Sequence, residues 1–421
     1  MVAGFHIRDV AGEAERQAVR ALLTAGFEVR PGVGAAFARL YDRLLEADAP
    51  AGTPWSRVAL VAGRVAGHAL LAPRSFYMDG AQVPGGIVAM VVVAPDHRGR
   101  GIGSALVRDV EAQARAQGMR MLHLAGDLRF YWRLGYVDGY LKCRADADVA
   151  VRRGRPPDLR RAMAADVDRM TRLSAGETPV GAVAPAPARW RWTLKTGHPA
   201  GLLAVNDVLL GSCAQEDFCL LLAQAGQVAG LARVALSGER AALYEAAAQD
   251  LEAAFRLFAG VQGFLAQRGC RRLSLHLPET NRLMRTAISQ GAAFRCEPDP
   301  TRLVKLLDAP ALLAYLRPVL MRRFQASDVR HWRGCVAVRT ETGGFVLACR
   351  EGALDLTIAD GTAMAKTEWQ IFLPEIGLAR ALLGTDRLSE RIGQRADKRV
   401  LALLDALFPP GCPFFWLADA L

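Results

Sequence analysis

Residues 91–103, VVVAPDHRGRGIG, place two arginines and three glycines directly after a β-branched run. Arg98 and Arg100 bring positive charge. Gly99, Gly101 and Gly103 bring no side chain to keep a ligand from the backbone. Such a set suits a phosphate or pyrophosphate held by backbone N–H groups. The competing reading is a glycine-rich turn that packs a helix closely on a strand.

The flanking elements bear on that choice. Residues 87–93, IVAMVVV, form a continuous apolar run, the pattern of a strand buried on both faces. Pro95 ends its pairing. The next segment, GIGSALVRDVEAQARAQG, spaces Ile102, Ala105, Leu106, Val110 and Ala114 as one helical face, with Gly118 as its C-terminal cap. The arginine-glycine stretch thus opens a helix, where unpaired N–H groups and the positive end of the dipole face outward. A dinucleotide fingerprint fails here, because Leu106 or Ser104 stands where a small residue or the third glycine is required. A P-loop fails for want of GK[ST]. R-x-x-G-x-G from Arg98 to Gly103 remains.

A chain of 421 residues, 52% of them hydrophobic, is expected to form two or three domains. No apolar run approaches a membrane span. Asp9, Glu13 and Glu15 near the start do not fit a signal peptide, so a soluble cytoplasmic protein is expected. The eight cysteines lack CxxC spacing and the seven histidines form no HxxxH pair, so reduced thiols and no metal are expected. The net charge of +11 is dispersed, densest at Arg152, Arg153 and Arg155, without the basic-aromatic interleaving of a nucleic-acid groove.

Two pairs of segments resemble each other at long range. VALVAGRVAGHALL (58–71) matches CLLLAQAGQVAGLARV (219–234), and GMRMLHL (118–124) matches GCRRLSLHL (269–277). Both offsets are about one domain length, which suggests a duplicated α/β domain. Proline and charge at 152–161 and 296–302 mark linkers, dividing the chain into 1–150, 155–308 and 309–421. The last part opens with an amphipathic helix, PALLAYLRPVLMRRF. Strand-like pieces CVAVRT, GFVLACR and ALDLTIAD follow, then helices around 372–384 and 396–408, an α+β order.

VAPDHRGRGIGSALV resembles the acyl-CoA-binding motif of the GCN5-related N-acetyltransferases (GNAT), and FYWRLGY (130–136) resembles their downstream motif. A second reading of the latter is an aromatic core helix. Both motifs occur in order within residues 1–145. The three-part organisation, ending in PFFWLADAL, resembles the Eis-like (enhanced intracellular survival) acetyltransferases. The resemblance implies an α/β (α+β) fold: a catalytic GNAT domain over 1–150, a degenerate GNAT-like copy over 155–308, and a sterol-carrier-protein-like domain over 309–421. Each GNAT domain would have a mixed central sheet flanked by helices. In the second copy EAAAQDLEAAF (245–255) replaces the glycine loop, so that copy should hold no pyrophosphate.

The resemblance implies transfer of the acetyl group of acetyl-CoA to a primary amine. It places cofactor contacts on Val91, Val92, Val93, Arg98, Gly99, Arg100, Gly101, Ile102, Gly103 and Ser104. The N–H of Val92 is the expected donor to the thioester carbonyl. Tyr131 is the implied general acid, a core tyrosine being the alternative. The terminal carboxylate, on Leu421, is the implied base, with His123 and Asp127 as competitors. Residues 26–55 should line the acceptor side. Their Glu28, Asp42, Glu46, Asp48, Phe27, Tyr41 and Trp55 suit a cationic amine, or the carboxylates form a solvated helix face. The resemblance also implies a homo-oligomer, a hexamer. The rival function is a non-catalytic acyl-CoA sensor or lipid-binding protein using the last domain.

Overall fold

The computed structural model describes residues 4–29, 31–46, 54–150, 157, 159–196, 216–224, 226–350, 352–359, 364, 367–392 and 396–416. In chain order the first elements are β1 (Phe5–Asp9), α1 (Gly12–Gly26), α2 (Val33–Leu44), β2 (Trp55–Val61), β3 (Arg64–Met78) and β4 (Ala81–Val93). Then come α3 (Ile102–Ala116), β5 (Met121–Ala125), the single helical turn α4 (Leu128–Tyr131), β6 (Val137–Asp138) and β7 (Leu141–Asp148). The middle strands are β8 (Leu159–Arg161), β9 (Glu216–Gln224), β10 (Gln227–Ser237), β11 (Arg240–Ala248), β12 (Arg272–Leu275) and β13 (Ala293–Pro298). The last are β14 (Arg302–Leu306), β15 (Gly334–Arg339), β16 (Gly344–Arg350), β17 (Ala353–Ile358) and β18 (Trp369–Phe372).

These strands form three sheets flanked by helices, an α/β architecture. Two sheets have seven strands, in the orders β1-β2-β3-β4-β5-β14-β6 and β13-β7-β12-β11-β10-β9-β8. The third has four, β17-β16-β15-β18. The large sheets exchange strands. β7 leaves the first to lie between β12 and β13, and β14 returns to pair antiparallel with β5 and β6. Leu303, Val304 and Leu306 of β14 are buried, so the first sheet is completed by residues from far along the chain.

The matched segments form matching elements. Each is a β-hairpin, β2–β3 or β9–β10, with a later strand, β5 or β12, that follows a left-handed glycine (Gly118, φ +72°; Gly269, φ +74°). That later strand pairs parallel with β4 or β11. On α3 the buried face is Ile102, Leu106, Val107, Val110 and Ala114; Val107 takes the place expected for Ala105. The amphipathic segment after residue 309 is two helices, Ala309–Tyr315 and Arg317–Ala326, broken at Leu316 ahead of Pro318, which has no N–H to give.

Helix Lys398–Leu407 ends the third unit, and the chain then runs back between the large sheets. The Leu141 N–H donates to the Pro413 carbonyl (2.9 Å). Phe414 and Trp416 join the core of the second sheet, while Phe415 joins that of the first. The expectation of reduced cysteines is corrected at one pair. Cys143 and Cys296 are disulfide-bonded across β7 and β13, with Cys412 Sγ 3.9 Å from Cys143 Sγ. The strand exchange makes neighbours of residues 153 positions apart, which spacing along the sequence could not reveal. Among the described residues no helix is long and apolar enough to cross a membrane.

Candidate active site

β4 and β5 run side by side only from Gly85–Met121 to Val88–Leu124. Beyond that β4 continues to Val93 while β5 stops at Ala125, so the strands part and the edge of β4 facing β5 is left without a strand partner. The Ala94 N–H donates to Ala66 on the β3 side (2.9 Å), and Val92 is the register partner of His68. Strand alternation therefore turns the Val92 N–H toward β3 and the N–H groups of Val91 and Val93 toward the cleft. This differs from the expectation that Val92 serves as the donor.

The turn after β4 begins with Pro95–His97, and the Arg98 Nε folds back to donate to the Val93 carbonyl (3.1 Å). Gly99 and Gly101 have φ of +75° and +81°, a region side chains disfavour, although a Cβ on either would meet nothing within 4 Å. Conformation, with open space beyond it, explains these two glycines. Gly103 differs: a Cβ there would meet Phe130 at 3.4 Å and Val93 at 3.5 Å. Gly101 precedes α3 and no side chain caps that helix. The N–H groups of Ile102, Gly103 and Ser104 thus open the helix with no side-chain acceptor, at the positive end of a 15-residue dipole. Arg57 fixes this helix in place. Its guanidinium grips Asp109 of α3 in two hydrogen bonds (2.6 and 3.0 Å) and Asp9 of β1 in a third (2.7 Å).

The corresponding helix of the second copy, Leu251–Ala266, is capped. The Asp250 carboxylate accepts the Ala253 N–H (2.8 Å), placing its own anion where an incoming one would go. There β11 and β12 also part after Leu243–Leu275, but Asn281 Nδ2 donates to Ala246 O and Arg282 reaches Glu177 and Ala248 O.

Tyr131 ends α4, whose first turn is capped by Asp127 through the Arg129 N–H (3.0 Å). The ring is buried edge-on against Phe130 and Tyr136, with centroids at 4.8 and 5.7 Å. Burial pushes the phenol above its ordinary pKa, so it keeps its proton at neutral pH. Behind it, Lys305 of the exchanged strand β14 donates to Glu111 of α3 (2.7 Å) and to the Leu134 carbonyl (2.6 Å). Gly126 lies so close that a Cβ would stand 2.4 Å from the Tyr131 ring. Sequence inspection passed over both Gly126 and Lys305. A glycine five residues before the motif tyrosine was the available signal for the first; nothing local marks the second.

His123 is buried, stacked on Phe415 (3.7 Å between centroids, 8° between planes) and edge-on to Tyr140. Neither ring nitrogen has a hydrogen-bond partner among the described residues. Burial, together with nearby Arg302, holds the imidazole well below its usual pKa, so it is neutral. The Asp127 carboxylate serves as a helix cap. Leu421 lies outside the described residues, as does Asp48.

Two of the four carboxylates on the acceptor side are committed to structure. Glu28 accepts the N–H groups of Gly32 and Gly34 (both 2.7 Å), and Asp42 pairs with Arg20 (2.7 Å). Phe27 stacks on Phe37, Tyr41 is buried beside Ser56, Trp55 packs toward α3, and Glu46 is exposed.

Residues 6–137 match the acetyltransferase (GNAT) domain family. Mouse N-alpha-acetyltransferase 80 is 51% identical over 55 residues, a match covering 13% of this chain and 18% of that protein. Over its whole length the chain shares its fold with a GCN5-related N-acetyltransferase from Kribbella flavida (TM-score 0.71, 20% identity, 99% of this chain and 98% of that one). The same holds for Eis1 from Mycobacterium abscessus (TM-score 0.63, 18% identity, 99% and 100%).

Proposed function

We propose that the chain is an N-acetyltransferase that moves the acetyl group of acetyl-CoA to a primary amine of a small molecule or a lysine side chain. The observation that carries this reading is the pairing of a parted strand edge with a helix N-terminus that no side chain caps. The first offers the N–H groups of Val91 and Val93 to a pantetheine arm and thioester carbonyl. The second, with Arg98 and Arg100, offers a pyrophosphate its donors and positive charge. The residues present fit the co-substrate: the loop conformation is left-handed at Gly99 and Gly101, and the space beyond both is open.

Tyr131, protonated at neutral pH by its burial, gives a proton to the departing thiolate as negative charge gathers on sulfur. The amine must lose a proton to attack. We assign that step to the carboxylate of Leu421. The placement of Pro413–Trp416 between the two large sheets, with Phe415 against His123 of β5, supports this assignment. His123 is the competing base, its neutral ring being able to accept a proton. The capped helix at Asp250 supports a structural part for the second copy. The proposal includes a sterol-carrier-like third unit, a homo-oligomer and a cytoplasmic setting.

The experiment is a thiol-release assay of the purified chain with acetyl-CoA against aminoglycosides, polyamines, lysine peptides and simple amines. CoA release that depends on one of these amines supports transfer. Tight acetyl-CoA binding without release on any of them would support the sensor reading instead.

A further inference from the structure

Between His68 and Leu70 of β3 the pairing with β4 shifts, so that Met90 and Val91 both stand opposite Ala69. Met90 takes the extra position with φ +55°, a left-handed conformation at a non-glycine residue. A bulge of this kind leaves a carbonyl out of the ladder, and a buried carbonyl needs a donor. The donor is a side chain. His68 Nδ1 lies 3.1 Å from the Met90 oxygen, and His68 is fully buried.

The chain of contacts continues behind the ring. His68 Nε2 lies 3.0 Å from Ser56 Oγ, and Ser56 Oγ lies 3.0 Å from the Tyr41 hydroxyl. The Tyr41 ring also meets the imidazole edge-on at 5.3 Å. A carbonyl only accepts, so Nδ1 carries the hydrogen. The ring is neutral, burial having pushed its pKa down to about 4. Nε2 therefore accepts from Ser56, and Ser56 accepts from Tyr41. Every donor and acceptor in the series is fixed by the carbonyl at its end.

We propose that His68 is a positioning residue for acetyl transfer, holding the Met90 carbonyl so that the Val91 N–H points into the cleft at the thioester oxygen. In a trans peptide the C=O and the following N–H point in opposite directions, so holding one aims the other. Ser56 and Tyr41 act one step further back by fixing the tautomer and plane of the ring. This inference rests on the acetyl-transfer reading above.

The test compares full-length wild type with His68→Gln, His68→Asn and Ser56→Ala. It uses kcat on an accepted amine, and Kd for CoA itself, which lacks the acyl carbonyl. An asparagine amide N–H₂ falls near His68 Nδ1 and can still hold Met90; a glutamine amide falls near Nε2 and cannot. His68→Gln is expected to lose at least tenfold in kcat, with CoA affinity within threefold of wild type. His68→Asn should recover to within about threefold of wild type. Ser56→Ala, which removes only one hydroxyl, should lose threefold to tenfold in kcat. Equal losses in the Gln and Asn variants, or unchanged kcat in both His68→Gln and Ser56→Ala, would overturn the inference. If His68→Gln does not fold, a wild-type kcat in Ser56→Ala overturns it. A wild type that transfers to no amine overturns the transfer reading itself, a separable result.

Discussion

Gly126 and Tyr131 touch with no room to spare: a methyl group on Gly126 would stand 2.4 Å from Tyr131 Cε2. The ring lies directly against the backbone that ends β5. Gly126→Ala must therefore push the phenol away from its place, and for the proton transfer proposed for Tyr131 a misplacement by a fraction of an ångström is costly. The expected result is a kcat at least tenfold lower, with acetyl-CoA affinity within threefold. Steady-state kinetics alongside calorimetry checks it.

Tyr131→Phe removes the hydroxyl proposed as the proton donor and leaves the packing. A loss of about 10²-fold or more in kcat is expected, with unchanged acetyl-CoA affinity. Because burial raises the phenol's pKa, the protonated form persists above pH 10, and Tyr131 should impose no alkaline fall in kcat below that pH. A pH–rate profile of wild type and variant measures both.

The two copies of the fold differ at one helix start, and that difference can be transplanted. Gly101→Asp would put a carboxylate at the start of α3, as Asp250 does at its counterpart. An aspartate tolerates the left-handed backbone there better than most residues. Acetyl-CoA binding should weaken at least tenfold, and the left-handed backbone should lower the melting temperature by about 2–4 °C. Asp250→Ala should cost about 1 kcal/mol of stability and create no acetyl-CoA site. Thermal melts with and without acetyl-CoA compare the pair.

Lys305 and Glu111 form a largely buried ion pair that ties β14 to α3. Removing one partner strands the other, so Lys305→Ala should destabilise the fold by about 3 kcal/mol. Lys305→Met with Glu111→Gln should recover much of that. Denaturant midpoints of the single and double variants give the comparison.

His68 has a folded pKa of about 4 against 6.5 in the unfolded chain. Between those values the unfolded chain binds a proton that the folded chain refuses, so stability falls as pH drops below 6.5. The His68 share is about 2 kcal/mol from pH 7.5 to 5. His123 and His276, whose pKa values burial also lowers, act in the same direction. Denaturation at pH 7.5 and 5.0 should show the loss.

What was legible in the sequence was local. The strand, the glycine turn and α3 follow one another within about thirty residues, and apolar spacing with proline and glycine punctuation determines each. The duplicated hairpins were legible for the same reason. The exchange of β7 and β14 was not, because pairing Leu303 with Leu124 is a choice among buried strands that no periodicity records. The Cys143–Cys296 pair and the brace from Lys305 were hidden with it. Glu28 and Asp42 looked available as carboxylates until the backbone of Gly32 and Gly34, and Arg20, were seen to occupy them. The Val92 N–H looked available until the alternation set by Ala94 turned it toward β3. His68 gave no sign, since a histidine in an apolar strand shows neither the bulge opposite it nor the hydroxyls behind it.

The most direct measurement follows an isotope-labelled acetyl group from acetyl-CoA to the amine by mass spectrometry, in wild type and Tyr131→Phe. The prediction is acetylated amine formed one-for-one with CoA by wild type, and formed at least about a hundredfold more slowly by the variant. No labelled amine above the buffer rate, or equal rates in the two proteins, would contradict the account.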